Sequence, residues 1–357
     1  MKALIAMSGG VDSSVAAYLL KSQGYDCIGC TMKLYGNGDI GISRSRTCCS
    51  LDDVEDARSV AYKLGMPYYV FNFSDGFREK VIEKFVHSYE SGETPNPCID
   101  CNRYMKFDKL YERARILGCE YIVTGHYARI EHDGERYLLK RALDETKDQS
   151  YVLYSLTQEQ LAHTLFPLGD MRKTKVRKIA EENGFFNAGK PDSQDICFVP
   201  NGKYAAFLEY YTGKTYPAGD FLSADGRVLG RHKGIVRYTV GQHKGLGIPS
   251  KEPLYVMQID ARENAVILGK EQELYGKECF VRDLNWISGA APVKEIRCKA
   301  KVRYRQKEQW ATVMPIGDAA AKVVFDEPQR AICYGQAAVL YDGDIVLGGG
   351  TISKYYA

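Results

Sequence analysis

Met7-Ser8-Gly9-Gly10-Val11-Asp12-Ser13-Ser14 is the stretch from which the rest of the chain is read. It follows the apolar run Ala3-Leu4-Ile5-Ala6, short enough for a buried parallel strand. It precedes Val15-Ala16-Ala17-Tyr18-Leu19-Leu20, whose pattern predicts a helix closed by Gly24. The order is therefore strand, tight loop, helix. Two glycines let the backbone turn sharply and approach a ligand closely, while the loop N–H groups and the positive end of the helix dipole favour an anion. We expect a phosphate cradle here; an ordinary strand-to-helix turn with Ser13 or Ser14 as N-cap is the competing reading. The Gly-Lys-[Ser/Thr] ending of a Walker loop is missing, and an Asp stands in its place.

The chain has 357 residues, room for two or three domains with their own cores. No apolar run reaches the roughly 18 residues of a membrane span, and no signal-type segment opens the sequence, so a cytoplasmic protein without membrane association is expected. Eleven cysteines, an odd number, in such a chain point to thiol chemistry or metal binding rather than a disulfide scaffold. A net charge of +3 creates no useful field by itself, so any case for nucleic acid rests on local patterning.

Beyond the first helix, strands are expected at 26–32, 68–71 and 121–124, alternating with helices at 52–64, 76–89 and 107–117. That alternation predicts an α/β doubly wound parallel sheet with helices on both faces, and ligands at the carboxyl ends of its strands. The loop at 7–14 and Thr124-Gly125-His126 should then share one crevice. Residues 36–50, with the pair Cys48-Cys49, read as a mobile loop over it, its thiols solvated or packed. From Thr215 the helical period gives way to short β-like runs at 219–222, 228–229, 235–239 and 255–259, and a second break falls near 269–277. We expect a catalytic domain at 1–204, a small β domain at 205–270 and a β-barrel-like domain at 271–357.

Two cysteine segments stand out. Thr94-Pro95-Asn96-Pro97-Cys98-Ile99-Asp100-Cys101-Asn102 reads as a proline-braced loop ahead of a helix beginning near Lys106, with Arg103 and Lys106 favouring a thiolate. Asp192-Ser193-Gln194-Asp195-Ile196-Cys197-Phe198 is a polar loop with one thiol. Taken singly, a C-x-x-C is often a metal half-site and a Cys before Phe is often core. Further on, Arg297, Lys299, Lys301, Arg303 and Arg305 recur at i, i+2, which in a strand places five cations on one face. They form either a solvated strand face or a phosphate-binding one, and we favour RNA. A second basic cluster, Arg172, Lys173, Lys175, Arg177 and Lys178, could touch the same RNA.

SGGVDSS resembles the PP-loop of the ATP pyrophosphatases, which split ATP into AMP and pyrophosphate while adenylating an oxygen; there the Asp, here Asp12, helps hold Mg²⁺. With it, PNPxxxCN at 95–102, GHYAR at 125–129, KDQSY at 147–151, DSQDICF at 192–198, GQHKGLGI at 241–248 and VRYRQ at 302–306 resemble the bacterial tRNA-specific 2-thiouridylases across the whole chain. The resemblance implies ATP-dependent adenylation of the C2 oxygen of the wobble uridine of tRNA, followed by its replacement with sulfur. Adenylation turns a poor leaving group into AMP, a good one.

By that resemblance Cys197 receives a persulfide from a sulfur-carrier or cysteine desulfurase protein and Cys101 is the nucleophile, leaving a transient Cys101–Cys197 disulfide. ATP meets Ala6, Met7, Ser8, Gly9, Gly10, Val11, Asp12, Ser13, Met32 and Gly125. Asn96, Pro97 and Cys98 line the pocket of the flipped-out base. His126, Lys147, Asp148, Gln149, Arg303, Tyr304, Arg305 and Gln336 contact tRNA. The chain departs from the family in having Cys98 where Asp is common. The three thiols Cys98, Cys101 and Cys197 therefore leave open a [4Fe–4S] cluster; alternatively Cys98 is a resolving thiol or a neutral wall. A PP-loop amide-forming ligase or a non-catalytic RNA-binding or sulfur-carrying protein are the rival classes, and neither accounts for both the loop and the paired thiols.

Overall fold

The structure is a computed structural model and describes residues 1–40, 51–192, 195–199 and 202–354. The Cys48-Cys49 pair, with most of the loop expected to cover the site, and Ser193 and Gln194 lie outside the described residues. The chain opens β1 (Lys2–Ala6), α1 (Val11–Ser22), β2 (Asp26–Lys33), α2 (Leu51–Lys63), β3 (Tyr68–Asn72). One continuous helix follows as α3 (Ser74–Phe77), a π-helical turn (Arg78–Ile82) and α4 (Glu83–Glu90). A second helix is built in the same way from α5 (Pro97–Asp100), a π-helical stretch (Cys101–Lys109) and α6 (Leu110–Ile116). Then come β4 (Tyr121–Val123), β5 (Ala128–His132), β6 (Tyr137–Arg141), α7 (Gln158–Ala162), β7 (Thr164–Leu165), α8 (Lys173–Glu182) and α9 (Tyr204–Thr212).

The first sheet has the order β3-β2-β1-β4-β7, all parallel. As the alternation required, side chains of β1 divide between its faces: Leu4 enters the core beneath α4, and Ala3 and Ile5 enter the one beneath α1, α2 and α8. All three are fully buried, and cutting Leu4 back to Ala would cost about 3 kcal/mol. The chain leaves β1 in opposite directions to β2 and β4, so the sheet opens a crevice at the carboxyl end of β1. Gly125, just past β4, closes on that crevice; a Cβ there would lie 2.9 Å from the Asp12 carbonyl carbon and the Ser13 nitrogen.

Two antiparallel-rich sheets complete the fold. Strands β8 (Gly219–Ser223), β9 (Val228–His232), β10 (Tyr255–Asp260) and β11 (Ala265–Gly269) form a four-stranded sheet in the order β10-β11-β8-β9. Residues 235–237, expected in a strand, form a 3₁₀ turn entered through Gly234 at φ 101°. The last sheet comprises β12 (Tyr275–Trp286), β13 (Ile296–Lys301), β14 (Gln309–Ile316), β15 (Ala320–Arg330), β16 (Ala337–Asp342) and β17 (Ile345–Ser353), and pairing of β12 with β17 closes it into a six-stranded barrel. The β5–β6 hairpin, not anticipated from sequence, extends this barrel sheet through β17. Ile99, Phe107, Leu139 and Tyr151 share a core with Ala337, Val339 and Tyr341, so the α/β part and the barrel are packed as neighbours. Among the described residues, no helix is long and apolar enough to cross a membrane.

Candidate active site

The loop at 7–14 joins β1 to α1 as a tight turn. Gly10 occupies the N-cap position of α1 and offers no capping side chain, so the competing turn with Ser13 or Ser14 as N-cap is not the one formed. Ser13 and Ser14 lie in the first turn and donate their hydroxyls back to the Gly10 carbonyl at 3.0 and 3.1 Å, while Ser13 Oγ accepts from the Ser8 N–H at 3.2 Å. The helix start is thus left uncapped by its own side chains, as an anion-binding turn requires. Gly9 has φ +72°, and a Cβ on it would meet the Asp53 carbonyl oxygen at 2.4 Å, so only glycine lets the loop pass under α2. Thr31 Oγ1 donates to the Met7 carbonyl at 2.6 Å and Asn187 Nδ2 to that of Gly9 at 3.1 Å, fixing the loop from both sides.

Asp12 is held by Lys173, whose Nζ donates to both carboxylate oxygens at 2.7 Å, and by the Tyr127 hydroxyl at 2.7 Å. Lys173 also lies 2.8 Å from Asp192 Oδ1, and Asp192 further binds Lys147 at 2.8 Å and Arg177 at 3.1 Å. Burial alone would raise the Asp192 carboxyl; the bonds from Lys147 and Lys173 outweigh it and bring it to about 2. Burial, then the Asp12 carboxylate, pushes the Tyr127 phenol up, so it stays a donor.

Lys173, grouped by sequence with the basic cluster that could touch RNA, is set apart from it by the structure. It is 8% exposed and faces the nucleotide loop, not RNA. A signal existed: Lys173, Val176 and Ala180 stand at i, i+3 and i+7, the buried face of α8, while Arg172, Lys175 and Lys178 face outward.

Cys98 and Cys101 do not lie in a loop ahead of a helix but in the first turns of one. Asn96 is its N-cap, its Oδ1 accepting from the Cys98 N–H at 3.2 Å, and Pro97 takes the first helical position. Prolines read as loop bracing were in fact a helix start. Cys101 opens the π-helical stretch, an irregularity frequent at functional sites. Cys98 is exposed, whereas Cys101 and Cys197 are half-buried and pack against one apolar core. Phe198, fully buried against Phe77, Phe85 and Phe207, anchors the Cys197 segment, and Tyr35 donates its hydroxyl to the Cys197 carbonyl at 2.6 Å. Arg103, expected beside the Cys101 thiol, is packed on Tyr104, and Lys106 reaches the His126 Nε2 at 3.4 Å.

His126 departs furthest from its expected role. It is buried between Phe107 and Phe166, its Nδ1 is 2.7 Å from Thr124 Oγ1, and burial, then Lys106, holds it well below the usual imidazole range. As an RNA contact the ring is covered, and half-buried Lys106 is the group that solvent can reach. The KDQ run is likewise engaged in ties: Asp148 accepts from the Ala142 and Ser150 N–H groups at 3.1 Å, and Gln149 Oε1 from the Tyr127 N–H at 3.0 Å. Tyr304 and Arg305 are exposed, and the Tyr304 hydroxyl donates to the Asp148 carbonyl at 3.1 Å. Burial of its ring, then Asp148 and Cys98, raises the Tyr304 phenol. Met32 lies in β2, half-buried beside the loop's strand. Gln336 spends its side-chain amide on the Thr94 carbonyl at 2.7 Å.

The stripe of five cations is not one strand face. Strand β13 ends at Lys301. Arg297 forms a bidentate pair with Asp326, and Lys299 lies 3.7 Å from Glu308. Lys301 stacks over Tyr151 and Tyr304, and Arg303 donates to the Ala331 and Val240 carbonyls. Mutual repulsion is therefore relieved within the protein, and repulsion no longer argues for RNA.

As to metals, Asp12 supplies one carboxylate beside a phosphate-binding turn, the donor set on which Mg²⁺ usually rides with nucleotide phosphates. Among the described residues, no three His, Cys, Asp or Glu side chains gather closely enough to hold an ion, so Cys98, Cys101 and Cys197 as placed do not fit a cluster.

Residues 1–201 match the family described as tRNA methyl transferase HUP domain, 205–270 the tRNA methyl transferase PRC-barrel domain, and 276–352 the aminomethyltransferase beta-barrel domain. The chain is 52% identical over 355 residues to the tRNA-specific 2-thiouridylase MnmA of Clostridioides difficile, covering 99% of this chain and 98% of that one. It is 53% identical over 356 residues to MnmA 2 of Caldanaerobacter subterraneus, with the same coverage. To MnmA of Clostridium acetobutylicum it is 49% identical over 351 residues, 98% of this chain and 99% of that one. With a parallel sheet carrying SGGVDSS at its switch point and this similarity from end to end, the chain belongs to the tRNA-specific 2-thiouridylase MnmA family.

Proposed function

We propose that this chain is an ATP-dependent tRNA-uridine 2-sulfurtransferase acting on the wobble base. The observation that carries the reading is the lysine shared by the two halves of the chemistry: Lys173 pairs with Asp12 of the nucleotide loop and with Asp192 of the segment that leads to Cys197. The C2 oxygen of the uridine attacks the α-phosphorus of ATP, forming a C–O–P ester and releasing pyrophosphate. The loop N–H groups of residues 9–13 and the Lys173 ammonium bear on the phosphates, and Mg²⁺, held with them by Asp12, would supply further charge neutralisation there.

Sulfur follows as the outer atom of a Cys197 persulfide, delivered by a sulfur-carrier or cysteine desulfurase protein. That atom bonds to C2 as AMP departs, and the Cys101 thiolate attacks the Cys197 sulfur. The S–S bond to the base breaks, leaving 2-thiouridine and a Cys101–Cys197 disulfide that an external thiol reduces. Asn96, Pro97 and Cys98 form the base pocket, with Cys98 its neutral wall; Ala6, Met32 and Gly125 face the nucleotide; Tyr304, Arg305 and Lys147 meet the RNA.

In this reading residues 1–204 are catalytic, 205–270 a linking β domain and 271–357 the RNA-binding barrel, and the protein works in the cytoplasm. The test is ATP–pyrophosphate exchange with and without tRNA. Exchange that requires a tRNA with uridine at the wobble position supports the proposal; exchange driven by a free carboxylate and an amine would replace it with a ligase.

A further inference from the structure

The barrel turn formed by residues 333–336 grips the stretch that leads into the Cys98/Cys101 helix. Thr94 donates its N–H to the Tyr334 carbonyl at 2.9 Å, and its own carbonyl accepts from Gln336 Nε2 at 2.7 Å. Both backbone groups of one residue are thus bound to the barrel. Between those two contacts sits Gly335, at φ +86°, where a Cβ would lie 2.9 Å from the Glu93 Cβ and 3.1 Å from the Thr94 nitrogen. Only glycine allows this approach. A wider tie supports it, with Arg282 of β12 3.8 Å from Glu93.

Each end of the grip is stiff. On the barrel side, Gly335 N–H donates to the Ile352 carbonyl at 2.9 Å and Ile352 N–H to the Gln336 carbonyl at 2.7 Å, so the turn is stitched to β17. Two residues ahead of it is Ala331, a non-glycine at φ 53°, whose carbonyl accepts from Arg303 Nε at 3.2 Å and Nη2 at 2.9 Å. On the catalytic side, Thr94 is followed by buried Pro95, the capping Asn96 and buried Pro97. Two prolines and a satisfied cap leave few free dihedrals before Cys98. Asp100 is buried and bound by Lys84 at 2.6 Å, and Ile99 is packed in the core shared with the barrel. A displacement at Thr94 therefore reaches the thiols rather than being absorbed on the way.

We propose that the 333–336 turn is a positioning element for the proposed chemistry: it sets the placement of Cys101 through Thr94, so the barrel takes part in sulfur transfer and not only in holding RNA. Arg303, bonded to Ala331 just ahead of the turn, makes the RNA side of the barrel continuous with this grip. The inference rests on Cys101 being the nucleophile of the proposed function.

The experiment uses the full-length protein, wild type, Gly335→Ala and Gln336→Ala. Without tRNA, the rates at which iodoacetamide alkylates Cys101 and Cys197 are read by peptide mass spectrometry; with tRNA, affinity and thiolation kcat are measured. In Gly335→Ala the Cys101 rate is expected to change several-fold while Cys197 keeps its own, and kcat to fall by about tenfold or more with affinity held within about twofold, since misplacement of a reacting group of this order is costly. Loss of fold would move both cysteines together, and Gln336→Ala, which removes one hydrogen bond and adds no strain, then decides by the same Cys101-to-Cys197 ratio. Wild-type alkylation ratios and kcat in a folded variant, or a loss confined to tRNA affinity, overturn the proposal. A wild type that fails to thiolate at all overturns the proposed function instead, and the alkylation ratio still reads the grip.

Discussion

Lys173 Nζ lies 2.7 Å from both carboxylate oxygens of Asp12, from a position in α8 that is almost wholly buried. A lysine so placed has lost most of its hydration and is paired with two carboxylates, Asp12 and Asp192. Removing it leaves two acids side by side with no shared counter-ion. Lys173→Met is expected to lower tRNA-dependent pyrophosphate exchange by about 100-fold, the scale of one preorganised charge at a phosphate. It should also cost about 3 kcal/mol of stability, read as the midpoint of urea unfolding. Exchange at wild-type rate would remove Lys173 from the nucleotide site.

The thiols divide by role. Cys101→Ala and Cys197→Ala are each expected to abolish 2-thiouridine formation while leaving tRNA-dependent pyrophosphate release within about threefold, because adenylation precedes sulfur transfer. Cys98→Ala should retain thiolation, since the thiols as placed do not gather into a metal site. Mass spectrometry of digested tRNA, run beside a phosphate assay, separates the two steps.

Stability should fall on the acid side in two windows. His126 is buried as the neutral imidazole, with its value held below 6.5, so below that pH the unfolded chain takes up a proton that the folded one refuses. Stability from this source is whole above 6.5 and declines by up to about 1.4 kcal/mol per pH unit beneath it. Unfolding midpoints at pH 7.5 and 5.5 should therefore differ more in wild type than in His126→Gln. The Asp192 carboxylate, depressed from 3.8 to about 2, contributes above its unfolded value and is lost only as pH falls through that lower range.

Two arginines on the barrel make opposite predictions. Arg305 is exposed, and Arg305→Ala should weaken tRNA binding and reduce the slope of log affinity against log salt by about 1. Arg297 is already paired with Asp326 and stacked on Trp310, and Arg297→Ala should leave that slope unchanged. Fluorescence titration over a salt series reads both.

The parallel sheet and its crevice were legible because strand and helix periods alternate cleanly from β1 to β4 and because two glycines at 9–10 have few other uses. Three things were not. The Cys98/Cys101 segment reads as a loop when prolines are taken as breakers, although Pro97 after Asn96 is equally a helix start, and only the observed cap decides. The β5–β6 hairpin has no apolar alternation strong enough to announce itself, since it is joined to its sheet by strand β17 more than 200 residues on. The basic stripe failed for a related reason: Asp326 and Glu308, which neutralise Arg297 and Lys299, approach from other strands and loops. Partners that arrive through tertiary contact are invisible to spacing. Lys173, by contrast, could have been found from its i, i+3, i+7 company.

The most direct measurement gives the purified full-length protein a persulfide donor, ATP and an unmodified tRNA bearing wobble uridine, then digests both macromolecules for mass spectrometry. The expected result is 2-thiouridine at that position together with a Cys101–Cys197 disulfide in the protein, neither appearing when ATP is withheld. Unmodified uridine with both cysteines still reduced, from a preparation that binds the tRNA and ATP, would contradict the account.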